Sequence, residues 1–343
     1  MKILFVYSNK TCGCTKKYTF ELARGMKKYV NTKVIYYTEL TSDIVKEFDV
    51  IILQRLGTIT IIDKDEVNNI IDIIEKNKNI KKFIYIMDDL VLESQNGLPI
   101  KFISHCTDVL CTSKTLAKYI RKYNDNVHVF HTFIDVESFD NIPENKSEKF
   151  TLVWASTGAL GSNIIEGIVE SKEAFKFDFD LIVIGGMYGQ FRNEKWIKSY
   201  PILKEDEMIK LIKSADILLN PLTLSEKNIE AIKYRCKEPL NDFLSIVREC
   251  SKSEVKYTIA GICKACILSS KTESFYKVIK NGINGFLLDD KIDEWINCIQ
   301  YLYYHKDELY KITQNAYKEV KSEYSIDNGA RQVIDVINDI VNQ

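Results

Sequence analysis

Hydrophobic positions along the chain come in short, nearly continuous runs. Longer stretches between them repeat their apolar residues every three or four positions. The runs in the first part are "KILFVYS", "KVIYYT", "DVIILQ", "KFIYIM", "DVLCTS" and "VHVFHT". Helical patterns lie between them: "KKYTFELARGMKKYV", a stretch from Lys64 to Lys78, a short piece after "KFIYIM", and "KTLAKYIRKY". Strands that alternate with helices of ten or more residues predict βαβ units and a parallel sheet. Runs with almost no polar interruption fit strands covered on both faces.

The alternation stops at "NIPENKSEKF", which is polar, has no periodicity and carries a proline, and so reads as a linker. It then restarts. "TLVWAS", "DLIVIGG", "DILLNPL", "ACILSS" and "GFLLDD" are predicted strands; "GSNIIEGIVESKEAF", "KEDEMIKLIKSA", "SEVKYTIAG" and "SFYKVIKNG" are predicted helices. The end, "IDNGARQVIDVINDIV", places Val333, Ile334, Val336, Ile337 and Ile340 on one helical stripe. The expectation is two tandem Rossmann-like doubly wound domains, 1–145 and 150–325. A terminal helix, 326–343, returns to the first of them. Ligands of such sheets bind at the carboxyl ends of the strands.

Composition narrows the function classes. The 343 residues carry 47 basic and 48 acidic side chains, a net charge of -1. No global field draws the chain to nucleic acid. "MKILFVYSN" turns polar too soon for a signal segment, and no apolar run reaches 18 residues. The nine cysteines are scattered and odd in number, so they read as reduced thiols of a cytoplasmic protein. Attachment to a membrane surface stays open, as does the oligomeric state.

Cys263-Lys-Ala-Cys266 has the spacing of a redox or metal pair. A redox pair needs its first thiol at a helix N-terminus, whereas Cys263 follows a predicted helix and Cys266 enters a predicted strand. A zinc site needs a second pair. Cys12-Gly13-Cys14 is the only other close one, in the loop after the first strand, where a tight turn explains it equally well. The thiols of the Cys263–Cys266 pair are read as structural, because free Cys is among the most buried residue types.

An ordered set of segments in the second domain carries a resemblance. They are Ala215-Asp216-Ile217 running to Pro221, Lys252-Ser253-Glu254-Val255-Lys256, Ile267 to Ser270, and Asn284-Gly285. In that order the chain resembles the retaining GT-B glycosyltransferases grouped with family 4. "DVLCTSKTLAKYI" and "VHVFHTFIDVESF" in the first domain are similar to segments of the same family. The resemblance implies an acceptor domain followed by a nucleotide-sugar domain. It implies transfer with retention to a glycan, lipid-linked or protein acceptor, a UDP- or GDP-linked donor, and no bound metal.

The residues give this reading physical content. A helix N-terminus offers free N–H groups and the positive end of a dipole to a diphosphate. Lys252, Ser253 and Lys256 sit where they would add to it, although a solvated helix face is the ordinary alternative. Ser270, Thr272 and Glu273, with Ser269 and Lys271, form a polar turn at a strand's carboxyl end. That turn is either a donor contact or a capped helix start. Thr157 and Gly158 in "STGALGSN" would let a ligand approach the backbone, or simply form a loop. Asp88, beside Asp89, would hydrogen-bond an acceptor hydroxyl as a catalytic carboxylate, or cap and solvate its loop. His105, His128 and His131 lie near strand ends, His131 being the best placed for a cleft.

The pattern departs from the family at three positions. Laid on "KYTIAGICKACILSS", it places Ile259 where a Glu usually holds the ribose, Lys264 at a Gly and Cys266 at a Pro. An isoleucine cannot accept a hydrogen bond, so Glu254, Glu273 or a carbonyl would have to serve. Three alternatives remain: an inactive GT-B protein that binds a partner or a glycan, a sugar-nucleotide epimerase, and, furthest from the pattern, a thiol-dependent redox protein. The epimerase needs a carboxylate-and-histidine set that the sequence does not display.

Overall fold

The structure is a computed structural model that describes all residues except 159, 192–193, 225–228 and 251–252. The chain divides into two compact units. Unit 1 holds Met1–Phe133, Glu230–Ser253 and Ile326–Gln343; unit 2 holds Ile134–Ile229 and Glu254–Ser325.

Unit 1 contains a parallel sheet of six strands: β1 (Lys2–Tyr7), β2 (Asn31–Tyr36), β3 (Val50–Gln54), β4 (Lys82–Met87), β5 (Asp108–Cys111) and β6 (Val127–Val129). Their spatial order is β2-β1-β3-β4-β5-β6. The chain first winds from β1 outward to β2, then returns past β1 and winds the other way through β3. The reversal lies between β1 and β3. The apolar runs explain the layering. β3 is buried at every residue, whereas edge strand β2 alternates exposed and buried positions.

Unit 2 repeats the plan with β7 (Thr151–Ser156), β8 (Asp180–Gly185), β9 (Ile197–Tyr200), β10 (Ile217–Asn220), β11 (Cys266–Ser270) and β12 (Phe286–Leu288). The order is β12-β11-β10-β7-β8-β9, all parallel, with the reversal between β7 and β10. The sequence pattern shows five of these strands. Edge strand β9 escapes it because only Ile197 of its four residues is buried.

The terminal helix, Ile326–Val341, packs in unit 1 against the helix Leu22–Met26. Val333, Ile334, Ile337 and Ile340 of the expected stripe are buried, and Val336 is half-buried. The approach is close. A Cβ on Gly25 would stand 2.6 Å from Ile326 Cγ2, and one on Gly329 would stand 2.4 Å from the Phe133 ring.

Two boundaries differ from the pattern-based expectation. The division falls at Phe133/Ile134, ahead of the polar "NIPENKSEKF". Ile134, Val136 and Phe139 are buried in the core of unit 2, which draws this stretch to that side. The expected second domain, 150–325, is also interrupted. Residues Glu230–Ser253 group with unit 1. There the backbone N–H groups of Leu92 and Glu93 donate to the carbonyls of Arg235 and Tyr234, at 2.8 and 2.9 Å. The helix Leu240–Cys250 packs on the helix Lys114–Ile120, burying Phe243, Val247 and Cys250. Among the described residues no helix is long and apolar enough to cross a membrane.

Candidate functional site

In unit 2 the loops at the carboxyl ends of β7, β8 and β10 are tied to one another through their backbones. The Gly161 N–H donates to the Thr223 carbonyl at 2.9 Å, and the Gly186 N–H donates to the Ser156 carbonyl at 2.7 Å. Glycine is what permits this. Gly161 has φ +79°, and a Cβ there would stand 2.3 Å from the Pro221 carbonyl oxygen. A Cβ on Gly186 would stand 2.3 Å from the Gly158 oxygen. Ser156 Oγ donates to the Gly158 carbonyl at 3.0 Å, while Thr157 and Gly158 themselves are exposed. Asn163, in the first turn of the helix Ser162–Glu170, is hydrogen-bonded to Thr223 Oγ1. The result is a small, backbone-lined platform at the winding reversal, where open α/β sheets bind ligands.

Lys256 reaches this edge. It lies in the first turn of the helix Val255–Ile262, is half-buried, and donates from Nζ to the Ala155 carbonyl at 2.7 Å, next to the last residue of β7. The helix is held from its other side by a buried polar network. Tyr257 Oη donates to Glu319 at 2.7 Å, and Asn284 Nδ2 donates to Tyr257 Oη at 2.9 Å and to Glu319 at 2.8 Å. Burial and the Glu319 carboxylate push the Tyr257 phenol far up, so it stays a proton donor. The Asn284-Gly285 turn therefore helps to fix the helix that carries Lys256.

The helix ends in a Schellman-type turn. The Ala265 N–H donates to the Ala260 carbonyl and the Lys264 N–H to the Gly261 carbonyl, both at 3.0 Å. Lys264 has φ +53°, the left-handed conformation that a glycine adopts without strain. Ile259 is buried in the apolar core of unit 2, with Tyr257, Ala260 and Ile262.

The remaining predicted donor residues divide by surroundings. Ser270 is fully buried and occupied: its Oγ accepts from the Leu222 N–H at 2.9 Å and donates to Asp290 at 2.6 Å. It ties the loops after β10, β11 and β12 together and has little left for a ligand. Thr272 is buried at the start of the four-residue helix Glu273–Tyr276. Glu273 is half-buried and pairs with Lys277 at 3.4 Å. Ser253 is buried at the end of the segment that groups with unit 1, and Glu254 is buried as the N-terminal flank of the Lys256 helix. Lys252 lies outside the described residues. Sequence reasoning includes Gly161 and Asn163 in the small-residue stretch "STGALGSN" without giving either a role, and it passes over Gly185 and Gly186. Their signal is small residues at or just past the ends of two strands, β7 and β8.

In unit 1 the edge at the winding reversal is built from side chains. Asp88 follows β4 and is buried, with Oδ2 3.5 Å from Arg55 Nη1. Arg55 follows β3 and is itself 8% exposed, at φ +50°. Asp89 pairs with Arg235 at 2.6 Å, a partner supplied by the segment that returns from later in the chain. His128 bonds Asp108 at 3.0 Å, His105 bonds Glu75 at 2.6 Å, and His131 is exposed. Cys263 and Cys266 are buried, and burial pushes both thiols up, Cys263 to about 12. That suits inert packing groups.

No protein-family model and no curated protein matches the chain. Solved structures share its fold. HepE of Anabaena, solved in complex with UDP-glucose, superimposes with a TM-score of 0.66 at 12% identity, covering 99% of this chain and 100% of that one. A glycosyltransferase of Rickettsia africae gives 0.65 at 13% identity, covering 100% and 99%. An α-glucosyltransferase in complex with UDP gives 0.67 at 11% identity over the whole of both chains. At such identities the likeness is one of fold: two parallel six-stranded sheets flanked by helices, the two-Rossmann-like-domain architecture of the GT-B glycosyltransferases.

Proposed function

We propose that the chain is a glycosyltransferase. It moves a sugar from a UDP- or GDP-linked donor to a glycan, lipid-linked or protein acceptor, with retention of configuration. Unit 2 takes the donor and unit 1 the acceptor. The observation that carries this reading is the edge of unit 2, where Lys256 Nζ stands at the end of β7 beside a glycine-lined platform. Structures of the same fold hold UDP or UDP-glucose.

The chemistry asked of the protein is electrostatic. As the glycosidic bond breaks, negative charge grows on the departing diphosphate. The Lys256 ammonium and the N–H groups of its helix turn would stabilise that charge more in the transition state than in the bound donor. Thr157 and Gly158 would admit the phosphates to the backbone. Within unit 2, Thr272 and Glu273 complete the proposed donor contacts. Asp88 would accept a hydrogen bond from the acceptor hydroxyl.

Titration calorimetry with UDP and GDP tests the donor half. Lys256→Ala removes a charge-assisted contact worth roughly 1.5–3 kcal/mol and should weaken binding roughly 10- to 150-fold. Unchanged binding would refute the role of Lys256. The second reading, an inactive GT-B protein that binds a partner or a glycan, is favoured by the burial of Ile259 in the core. If wild type binds neither nucleotide, that second reading replaces the first.

A further inference from the structure

The loop after β1 carries a motif that the proposed transfer chemistry does not use. Asn9 organises it. Its Oδ1 accepts from the Thr11 N–H at 3.0 Å, the Cys12 N–H at 3.1 Å and Thr11 Oγ1 at 2.9 Å. This presents Cys12 as the extended N-cap, and Gly13 and Cys14 as the first residues, of a short helix that widens at once into a π-turn over Lys16–Glu21. Such turns are frequent at functional sites. Cys12 and Cys14 stand on one turn with a single residue between them, near enough for each thiol to act on the other's ionisation. Arg55 Nη1 donates to Cys14 Sγ at 3.0 Å and lies 3.5 Å from Asp88 Oδ2. Arg55 Nε is buried and, among the described residues, has no hydrogen-bond partner; neither has Asp88 Oδ1. The guanidinium is thus committed to the sulfur and the carboxylate. Its positive charge within reach of both disfavours a metal cation there.

We propose that Cys12-Gly13-Cys14 is a reactive dithiol, with Cys12 as the nucleophile and Cys14 as the resolving thiol, and that it takes low-molecular-weight disulfides and soft electrophiles. A pair that shares one negative charge loses its first proton readily and holds its second. The Cys14 thiol, with help from Arg55 and the N–H groups of Thr15 and Cys14, lowers the Cys12 thiol to about 6 against burial. The Cys12 thiol, burial and the facing Asp88 carboxylate raise Cys14 well above its ordinary range. Cys12 stands apart from the rest. Cys106, Cys111, Cys236, Cys250, Cys263 and Cys266 are buried. Burial also pushes the half-buried Cys298 up to about 12.

The exchange balances in two steps. The Cys12 thiolate attacks one sulfur of the small disulfide; a new S–S bond forms, the old one breaks, and one thiolate leaves. Cys14 then attacks the Cys12 sulfur, its proton passing to the second departing thiolate. Cys12 and Cys14 are oxidised together, and the small disulfide is reduced to two thiols. Gly13 gives the three-residue ring its freedom, with no atom within 4 Å of where a Cβ would be.

The test uses the full chain. Iodoacetamide labelling across pH, followed by peptide mass spectrometry, should modify Cys12 first, with a midpoint near pH 6 rather than the ~8.5 of a free thiol. A midpoint at or above that of a free thiol overturns the proposal, and wild type alone decides this. Oxidised glutathione should give a transient Cys12 adduct that resolves to an internal disulfide. In Cys14→Ser the adduct should persist. An adduct that persists in wild type refutes Cys14 as the resolving thiol. Arg55→Lys keeps a charge but loses the fork, and should move the Cys12 midpoint upward; an unmoved midpoint refutes the role of Arg55. Nucleotide binding is read separately, so failure here leaves the donor site standing.

Discussion

At the β1/β3 reversal of unit 1, side chains fill the crevice: Cys12, Cys14, Arg55 and Asp88, with Asp89 and Arg235 beside them. At the β7/β10 reversal of unit 2, backbone fills it, because Gly161, Gly185 and Gly186 leave room for loops to touch. The same topology thus makes two kinds of surface. A backbone-lined edge with one lysine suits a ligand that brings its own negative charge. An edge lined with paired charges and thiols is already neutralised, so it offers polarity and reactivity rather than a net field. Burial sharpens the contrast. Charged groups held this deep depend on one another, whereas a glycine platform depends only on shape.

The largest expected effect sharpens the comparison by attacking unit 1 alone. Ending the chain before Ile326 uncovers the face that Val333, Ile334, Ile337 and Ile340 bury. Each such side chain is worth about 1.5–3 kcal/mol, so the sum rivals the whole stability of a domain. Calorimetric scanning should show unit 1 unfolded or aggregated. A transition like that of the full chain would mean that the helix is dispensable.

Next comes the charge cluster. Arg55→Met leaves Asp88 buried without its partner, and breaking such a pair costs about 3–5 kcal/mol. Arg55 is 8% exposed, so solvent does little to soften the loss. Urea unfolding measures it. A change below about 1 kcal/mol would show that the cluster is not held together by its charges.

Glycine substitutions probe the other edge. Gly161→Ala combines a left-handed φ with a Cβ 2.3 Å from a backbone oxygen. Strain and overpacking together should cost about 2–4 kcal/mol and weaken nucleotide binding. Gly158→Ala, two exposed residues after β7, has open space around it and should change stability by less than about 0.5 kcal/mol. If the two variants behaved alike, the platform would not be the tight assembly described above.

Much of the fold is legible in the sequence. All six strands of unit 1 and five of unit 2 stand out as apolar runs, because a strand covered on both faces must be apolar almost throughout. β9 is not legible, since an edge strand with one covered position leaves no such run. The helix Leu240–Cys250 has ordinary helical spacing in Phe243, Val247 and Cys250, yet nothing local says that it packs in unit 1. The candidate site is legible in part. Lys256 stands out through its place at a helix start. Ser270 reads as a ligand contact and instead ties three loops together. Ile259 reads as a missing ribose contact and lies in the core.

By itself the sequence determined the periodicities, and so the alternation of strand and helix, the two sheets and the apolar stripe of the last helix. These follow from which side chains must leave water, and that information is local. Only the tertiary structure decided which distant segments complete each unit. Arg235 meets Asp89 across 146 residues, and Arg55 meets Cys14 across 41. A charged or thiol side chain carries no periodic mark of its partner. Its pairing is set by where the backbone ends of different strands converge, and that convergence exists only once the sheet has formed.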